Sequence, residues 1–211
     1  KQNDKFMKIL SDPQLKKIIR LAIKEDLGKL GDITSNTVLT KRDKATFHFV
    51  SRAKGILCGI NIAKIVYELL DEKIKFTSFK KDGYSIKKNE VLAKVEGPAI
   101  SLLMGERTAL NFLTHLSGIA TSTSMMVKLI SHTDTKILCT RKTTPGLRNI
   151  EKYAVKVGGG INHRIGLYDA ILIKDNHIAI AGSISNALKK VKKLKNKIKI
   201  EIEVDNLKQF K

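Results

Sequence analysis

The 211-residue chain has no tryptophan, three prolines, two cysteines and half as many acidic as basic residues. Two thiols cannot build a disulfide framework, which excludes a small secreted scaffold stapled by cross-links. Cys58 and Cys139 both lie in apolar, strand-like runs, where a reduced thiol is expected, and so a reducing compartment such as the cytoplasm. No apolar run approaches the ~20 residues that span a bilayer. The opening stretch KQNDKFMKIL also lacks the apolar stretch of a signal peptide. The expectation is a soluble cytoplasmic protein with no membrane partner. With few prolines, 14 glycines and 42% hydrophobic residues, the composition is that of a globular protein, not a collagen-like or disordered chain.

The deficit of acids leaves a formal charge of +20, which raises the possibility of a nucleic-acid partner. The distribution argues against it. Basic residues are spread along the chain as 33 lysines and 7 arginines, and the one dense run, KKVKKLKNK, reads as a solvated helix face. In a chain that uses lysine by default, arginine marks places where a planar fork is needed for a carboxylate or phosphate. Four of the seven arginines, Arg107, Arg141, Arg148 and Arg164, fall in one middle segment.

Periodicity divides the chain into two parts. The segment SDPQLKKIIRLAIKEDLG predicts a helix with Asp12 as N-cap, Leu15, Ile18, Ile19, Ala22 and Ile23 on one face, and a stop at Gly28. Residues 31–37 read as a loop and residues 45–51 as a strand. INIAKIVYELL reads as a helix. KIKFTSF and YSIKKNEVLAKVEG read as strands joined by a turn at Asp82-Gly83. After Gly97-Pro98 a long helix is predicted from Ser101 to about Ile130. Beyond it the strands KILCT, AILIK and IKIEIEV alternate with helices over about 147–157 and 183–194. Such alternation implies parallel strands with crossover helices, in a barrel or an open α/β sheet. Neither a dinucleotide glycine motif nor a P-loop is present.

In parallel α/β folds, reactive groups gather at the C-terminal ends of strands. KILCT runs into Thr140, Arg141 and Lys142. AILIK ends at Lys174, followed by Asp175, Asn176 and His177, and IKIEIEV ends near Glu203. These cations and the carboxylate suit an anionic substrate. By the alternation of a strand, Lys199, Glu201 and Glu203 share a face opposite Ile200, Ile202 and Val204; acids turned inward would need a cation, metal or ligand beside them. GGGINHR, residues 158–164, offers a left-handed cap and a close backbone approach to a ligand, with His163 and Arg164 directly behind it. His115 and His132 read as structural histidines, and no His or Cys spacing fits a zinc site.

The stretches EDLGKLGDITS, RAKGILCG, GERTALNFLTHLSGIAT, TRKTTPGLRNIEKYAVKVGGGINHRIGLYDAILIKDNHI and IEIEVDNL together resemble the quinolinate phosphoribosyltransferase family, nicotinate-nucleotide pyrophosphorylases of the carboxylating type. The resemblance runs from Glu25 to Leu207. It implies an α/β fold: an N-terminal α/β sandwich domain, residues 1–106, and a parallel α/β barrel of the type II phosphoribosyltransferase kind, residues 107–211, here incomplete. It implies the joining of quinolinate to 5-phosphoribosyl-1-pyrophosphate with Mg²⁺, giving nicotinate mononucleotide, pyrophosphate and CO₂ in NAD biosynthesis. It also implies a homodimer in which Arg107 is donated to the neighbouring site. Thr140, Arg141, Lys142, His163, Arg164 and Lys174 would hold the pyridine dicarboxylate and the phosphates. Glu203 would stand on the ribose and metal side. Lys142 and Glu203 are the expected catalytic residues; no direct metal ligand is assigned, and Glu203 would meet the metal through water.

Only about three barrel strands follow Ile137, so the remaining strands, a further metal-side aspartate and the glycine-rich phosphate loops are expected beyond Lys211. Two other readings are kept. One is a barrel lyase or aldolase with Lys174 as a Schiff-base amine, and the other is a basic nucleic-acid-binding protein. The YSIKKNEVLAKVEG stretch also resembles half of a lipoyl-type unit, but its lysines lack the context of a tip, and strand pairing is the better reading.

Overall fold

The computed structural model describes residues 13–194 and 198–210, and its contacts divide the chain into two compact units, residues 1–162 and 163–211. The predicted N-cap Asp12 and the end of the lysine run, residues 195–197, lie outside the described residues.

In the first unit, helix α1 (Pro13–Leu27) buries Leu15 and Ile19 and ends at Gly28, whose φ of +53° is readily adopted by glycine. The predicted loop over residues 31–37 is instead a short helix, α2 (Ile33–Val38). Asp32 explains the difference. One carboxylate oxygen accepts the Ser35 backbone N–H at 2.9 Å and the other accepts the Ser35 hydroxyl, satisfying N–H groups that a helix start otherwise leaves unpaired. These hydrogen bonds hold the Asp32 carboxyl below its ordinary range.

Three strands form an antiparallel sheet in the order β1 (Lys44–Val50), β5 (Val91–Pro98), β3 (Lys75–Ser78). A second pair joins β2 (Gly55–Ile56) to β4 (Ser85–Ile86). The expected hairpin across Asp82-Gly83 does not form, because β3 pairs with β5 rather than with β4. The segment 84–97 is two strands, broken where Asn89 adopts a φ of +65°. Helix α3 (Ile60–Leu70) packs Ile62, Ala63, Ile65, Val66 and Tyr67 into the core and keeps Lys64 and Glu68 on its solvent side. There Tyr67 meets Phe49 and Phe76, with ring centroids 6.2 and 6.0 Å away. Few as the aromatics are, three of them make the centre of the core, in the tilted and edge-on arrangements that aromatic quadrupoles favour.

The long predicted helix is α4 (Ala99–Leu129), 31 residues in one piece. It buries Leu102, Ala109, Leu113, Leu116 and Ala120, and packs on α3 and on α5 (Arg148–Val157). Among the described residues no helix is long and apolar enough to cross a membrane. The predicted strand KILCT is reduced to a single parallel bridge, Leu138 to Ile161, flanked by irregular chain. The apolar run there is too short to sustain a ladder with so brief a partner.

In the second unit, β6 (Ile171–Ile173) and β7 (Ile200–Ile202) pair in parallel, as the alternation required. Between them lie α6 (Asp175–Ala181) and α7 (Ile184–Lys192), the latter capped by Ser183, whose hydroxyl accepts the Asn186 N–H at 3.1 Å; a last turn, α8 (Leu207–Phe210), follows β7. The α/β reading of the sequence therefore stands.

Candidate active site

Within the first unit the expected residues lie on irregular chain after the Leu138 bridge. Lys142 donates its backbone N–H to the Thr140 hydroxyl at 3.1 Å, and Thr143 donates its own to the Arg141 carbonyl at 3.0 Å, so the segment folds tightly on itself. Arg148 reaches back from α5, its Nε 3.1 Å from the Thr143 hydroxyl. The Nε of Arg141 is buried and has no hydrogen-bond acceptor among the described residues. A buried guanidinium donor of this kind is costly unless an anion or water satisfies it, and that is the property required of a carboxylate or phosphate site. Arg107 stands on the exposed side of α4.

A carboxylate that sequence reasoning passed over organises this segment. Glu151 on α5 is 7% exposed; its Oε2 accepts the Thr144 backbone N–H at 3.1 Å and its Oε1 lies 2.9 Å from His115 Nε2 on α4. Burial pushes the Glu151 carboxyl up, but hydrogen bonds from Thr144 and His115 outweigh it and hold the group below its ordinary range. His115 is thus a structural histidine, as its sequence context indicated. The signal available for Glu151 was an acid inside the buried stretch Ile150–Ala154 of a short amphipathic helix.

In the second unit, the acids of β7 find cations, which resolves the inward-facing charge that strand alternation predicted. Glu201 pairs with His163 Nε2 at 2.6 Å and with the Lys199 ammonium, and Glu203 pairs with Lys174 at 2.9 Å. Lys199 first, then His163, hold Glu201 down to about 2. The structure therefore brings Lys174 together with Glu203, and His163 with Glu201. Arg164 donates from Nη1 to the Ala170 carbonyl at 3.3 Å, leaving a buried Nε with no hydrogen-bond acceptor among the described residues. Lys174 donates its backbone N–H to His177 Nδ1 at 3.0 Å, which fixes the entry into α6. A lysine that is 44% exposed and paired with a carboxylate is not in the apolar pocket that makes a Schiff-base amine reactive, which disfavours the lyase reading.

The glycine run acts differently from the expectation of an approach to a ligand. A Cβ on Gly158 would collide with the Ala120 carbonyl oxygen and come within 2.7 Å of Thr123 Cβ, while Gly159 has a φ of +93°. The close approach is thus between the end of α5 and α4. No group of three His, Cys, Asp or Glu side chains able to hold a metal comes together among the described residues. A cavity of about 320 Å³ in the second unit is lined mainly by apolar residues, Ile171, Ile173, Ile180 and Val191 among them, with His177 and Lys190 also on its wall; Lys174 and Glu203 do not line it.

The chain is thus an α/β protein in which Arg141 and Arg164 each carry a buried guanidinium Nε with no acceptor among the described residues, the chemistry that an anion would satisfy. Residues 32–117 match the N-terminal domain of quinolinate phosphoribosyl transferase and residues 119–211 its C-terminal domain. The chain is 46% identical over 199 residues to a probable nicotinate-nucleotide pyrophosphorylase (carboxylating) of Bacillus subtilis, covering 94% of this chain and 68% of that protein. It is 41% identical over 193 residues to a mitochondrial quinolinate phosphoribosyltransferase (decarboxylating) of Nicotiana tabacum, covering 90% of this chain and 54% of that protein. The solved nicotinate-nucleotide pyrophosphorylase of Francisella tularensis superposes with a TM-score of 0.89 at 43% identity, over 95% of this chain and 71% of that one. The chain belongs to the quinolinate phosphoribosyltransferase family, and it spans between about half and seven tenths of the length of these relatives.

Proposed function

We infer that the protein transfers a phosphoribosyl group from 5-phosphoribosyl-1-pyrophosphate to quinolinate with loss of CO₂, giving nicotinate mononucleotide and pyrophosphate for NAD biosynthesis. The observation that carries the reading is Arg141, whose guanidinium holds a buried Nε without an acceptor among the described residues; Arg164, in the second unit, repeats the feature. Quinolinate is a dianion, and each charged hydrogen bond to it contributes about 1.5–3 kcal/mol. Thr140, Arg141 and Lys142 are proposed as donors to its carboxylates or to the phosphates, and the family resemblance extends the same proposal to His163, Arg164 and Lys174.

Departure of pyrophosphate leaves positive character on the ribose carbon, and Glu203 is the carboxylate proposed to stabilise it, with Lys142 as the catalytic cation. The Glu203 carboxylate is a hard oxygen donor, 59% exposed and held by Lys174; it suits Mg²⁺ met through water rather than bound directly. Mg²⁺, when bound, would neutralise charge on the leaving pyrophosphate. Once the ring nitrogen is quaternised, its positive charge stabilises the electron pair left on the adjacent ring carbon as the bond to the carboxylate breaks; CO₂ leaves, a proton from solvent takes its place on that carbon, and no covalent enzyme intermediate is needed.

A homodimer with Arg107 donated to the neighbouring site is part of the proposal, as are the domain division at residues 106 and 107 and a cytoplasmic location. Met125, Met126 and Leu129, exposed at the end of α4, supply apolar surface for a second copy, and the two free cysteines suit a reducing compartment. The test is quinolinate-dependent release of both CO₂ and pyrophosphate by the full-length protein. A folded protein that releases neither would end the reading.

A further inference from the structure

Thr140–Leu147 carries Arg141 and Lys142 without a helix or strand ladder of its own, so its shape must come from contacts made to it. Its backbone is held at Thr144, whose N–H donates to Glu151 Oε2 at 3.1 Å, and its Thr143 side chain by Arg148, whose Nε donates to the hydroxyl at 3.1 Å. Glu151 is fixed in turn by His115 of α4, 2.9 Å from its second oxygen. A buried carboxylate that bridges a backbone N–H and a side chain of a different helix has little rotational freedom, so it serves as a rigid strut.

We propose that Glu151 is a positioning residue, a strut between α4 and the 140–147 segment that aims Arg141 and Lys142 at the substrate. The proposal rests on the quinolinate reading for its substrate, but the strut itself is defined by hydrogen bonds within the first unit. Glu151 does not touch substrate in this account. Removing it displaces the segment, and misplacement of a substrate-holding group by an ångström lowers turnover by about 10²-fold.

The experiment uses the full-length protein and three variants, with kcat and KM for quinolinate, the thermal midpoint, and amide hydrogen exchange over residues 140–147 measured together. Glu151→Ala should raise KM for quinolinate and lower kcat/KM by about 10²-fold, and should speed exchange at Thr143 and Thr144. Glu151→Gln keeps an oxygen for the Thr144 N–H and should restore both the kinetics and the protection. Glu151→Asp keeps the charge but withdraws it by one methylene; it should fall between the two, and it decides the matter if the alanine variant fails to fold. Wild-type KM and wild-type exchange in folded Glu151→Ala or Glu151→Asp would overturn the proposal. So would a loss of thermal stability shared equally by all three variants with KM unmoved, since that is the signature of a merely structural residue. If the wild type does not turn over quinolinate, the functional reading fails, and exchange at 140–147 still decides the strut.

Discussion

Tyr153 on α5 donates its hydroxyl to Asp82 Oδ2 at 2.9 Å, while Asp82 Oδ1 accepts the backbone N–H groups of Gly59 and Ile60 at 2.9 and 3.0 Å. Asp82, read from the sequence as a turn residue, thereby caps the start of α3 and ties α5 to it. Burial pushes its carboxyl above the ordinary range, more than these hydrogen bonds pull it down. A carboxylate whose pKa is raised in the folded state makes the protein less stable as pH rises from about 3.8 through the raised value. Asp82→Asn keeps an acceptor for the two N–H groups and removes the buried charge. Its unfolding free energy should equal that of wild type near pH 3 and exceed it at pH 7. Asp82→Ala should cost about 1–3 kcal/mol at either pH by leaving buried donors unpaired. Urea unfolding at the two pH values measures both.

Glu201 has the opposite sign. Lys199 and His163 hold it to about 2, below its ordinary value of 4.5, so its contribution to the second unit is present above about 4.5 and is lost as pH falls toward 2. Amide signals of Ile171–Ile173, whose strand pairs with the strand carrying Glu201, should lose protection over that interval in wild type. In Glu201→Gln protection should already be lower at pH 5 and should change little on further acidification. An identical pH profile in the two proteins would remove Glu201 from the account.

Elements with a full period were legible from the sequence. The helices over 60–70 and 99–129 and the strand over 44–50 carry their apolar residues at regular spacing and appear nearly as predicted. Segments governed by a single side chain were less so. The helix at Ile33 depends on one aspartate, and the missing hairpin at Asp82 depends on that aspartate turning to cap another helix, neither of which hydropathy encodes. Lys174 and Glu203 were singled out because strand ends are where polar groups stand exposed, and the structure pairs the two. Glu151 was passed over because a buried acid inside an amphipathic helix is indistinguishable in one sequence from a solvated one until its partners, 7 and 36 residues away, are known.

The glycine run tests how tightly α5 and α4 fit. Gly158→Ala places a methyl group against the Ala120 carbonyl and Thr123, so a backbone must move, and the expected loss is about 1–3 kcal/mol. Gly159→Ala meets nothing closer than 3.6 Å, yet its φ of +93° should still cost about 1–2 kcal/mol. The two costs differ in origin. Asparagine, which tolerates a positive φ better than alanine, should cost less than alanine at 159 and no less than alanine at 158, read as thermal midpoints. Asparagine costing less than alanine at both positions, or at neither, would mean that the two requirements for glycine do not differ in origin.

Glu203 and Lys174 form an exposed ion pair, 59% and 44% accessible, and such pairs contribute between nothing and about 1 kcal/mol to stability. A role in folding therefore predicts little from their removal, whereas a role at the ribose carbon predicts much. Glu203→Gln in the full-length protein should leave the thermal midpoint within error of wild type. It should lower kcat by about 10²–10³-fold, the usual effect of deleting one electrostatic stabiliser of a transition state. KM for quinolinate should change little, because Glu203 is assigned to the ribose side and not to the dicarboxylate. Steady-state kinetics with quinolinate and the phosphoribosyl donor varied in turn separates these effects. A kcat that survives the substitution would take Glu203 out of the chemistry and leave Lys174 as a phosphate-binding cation in its own right.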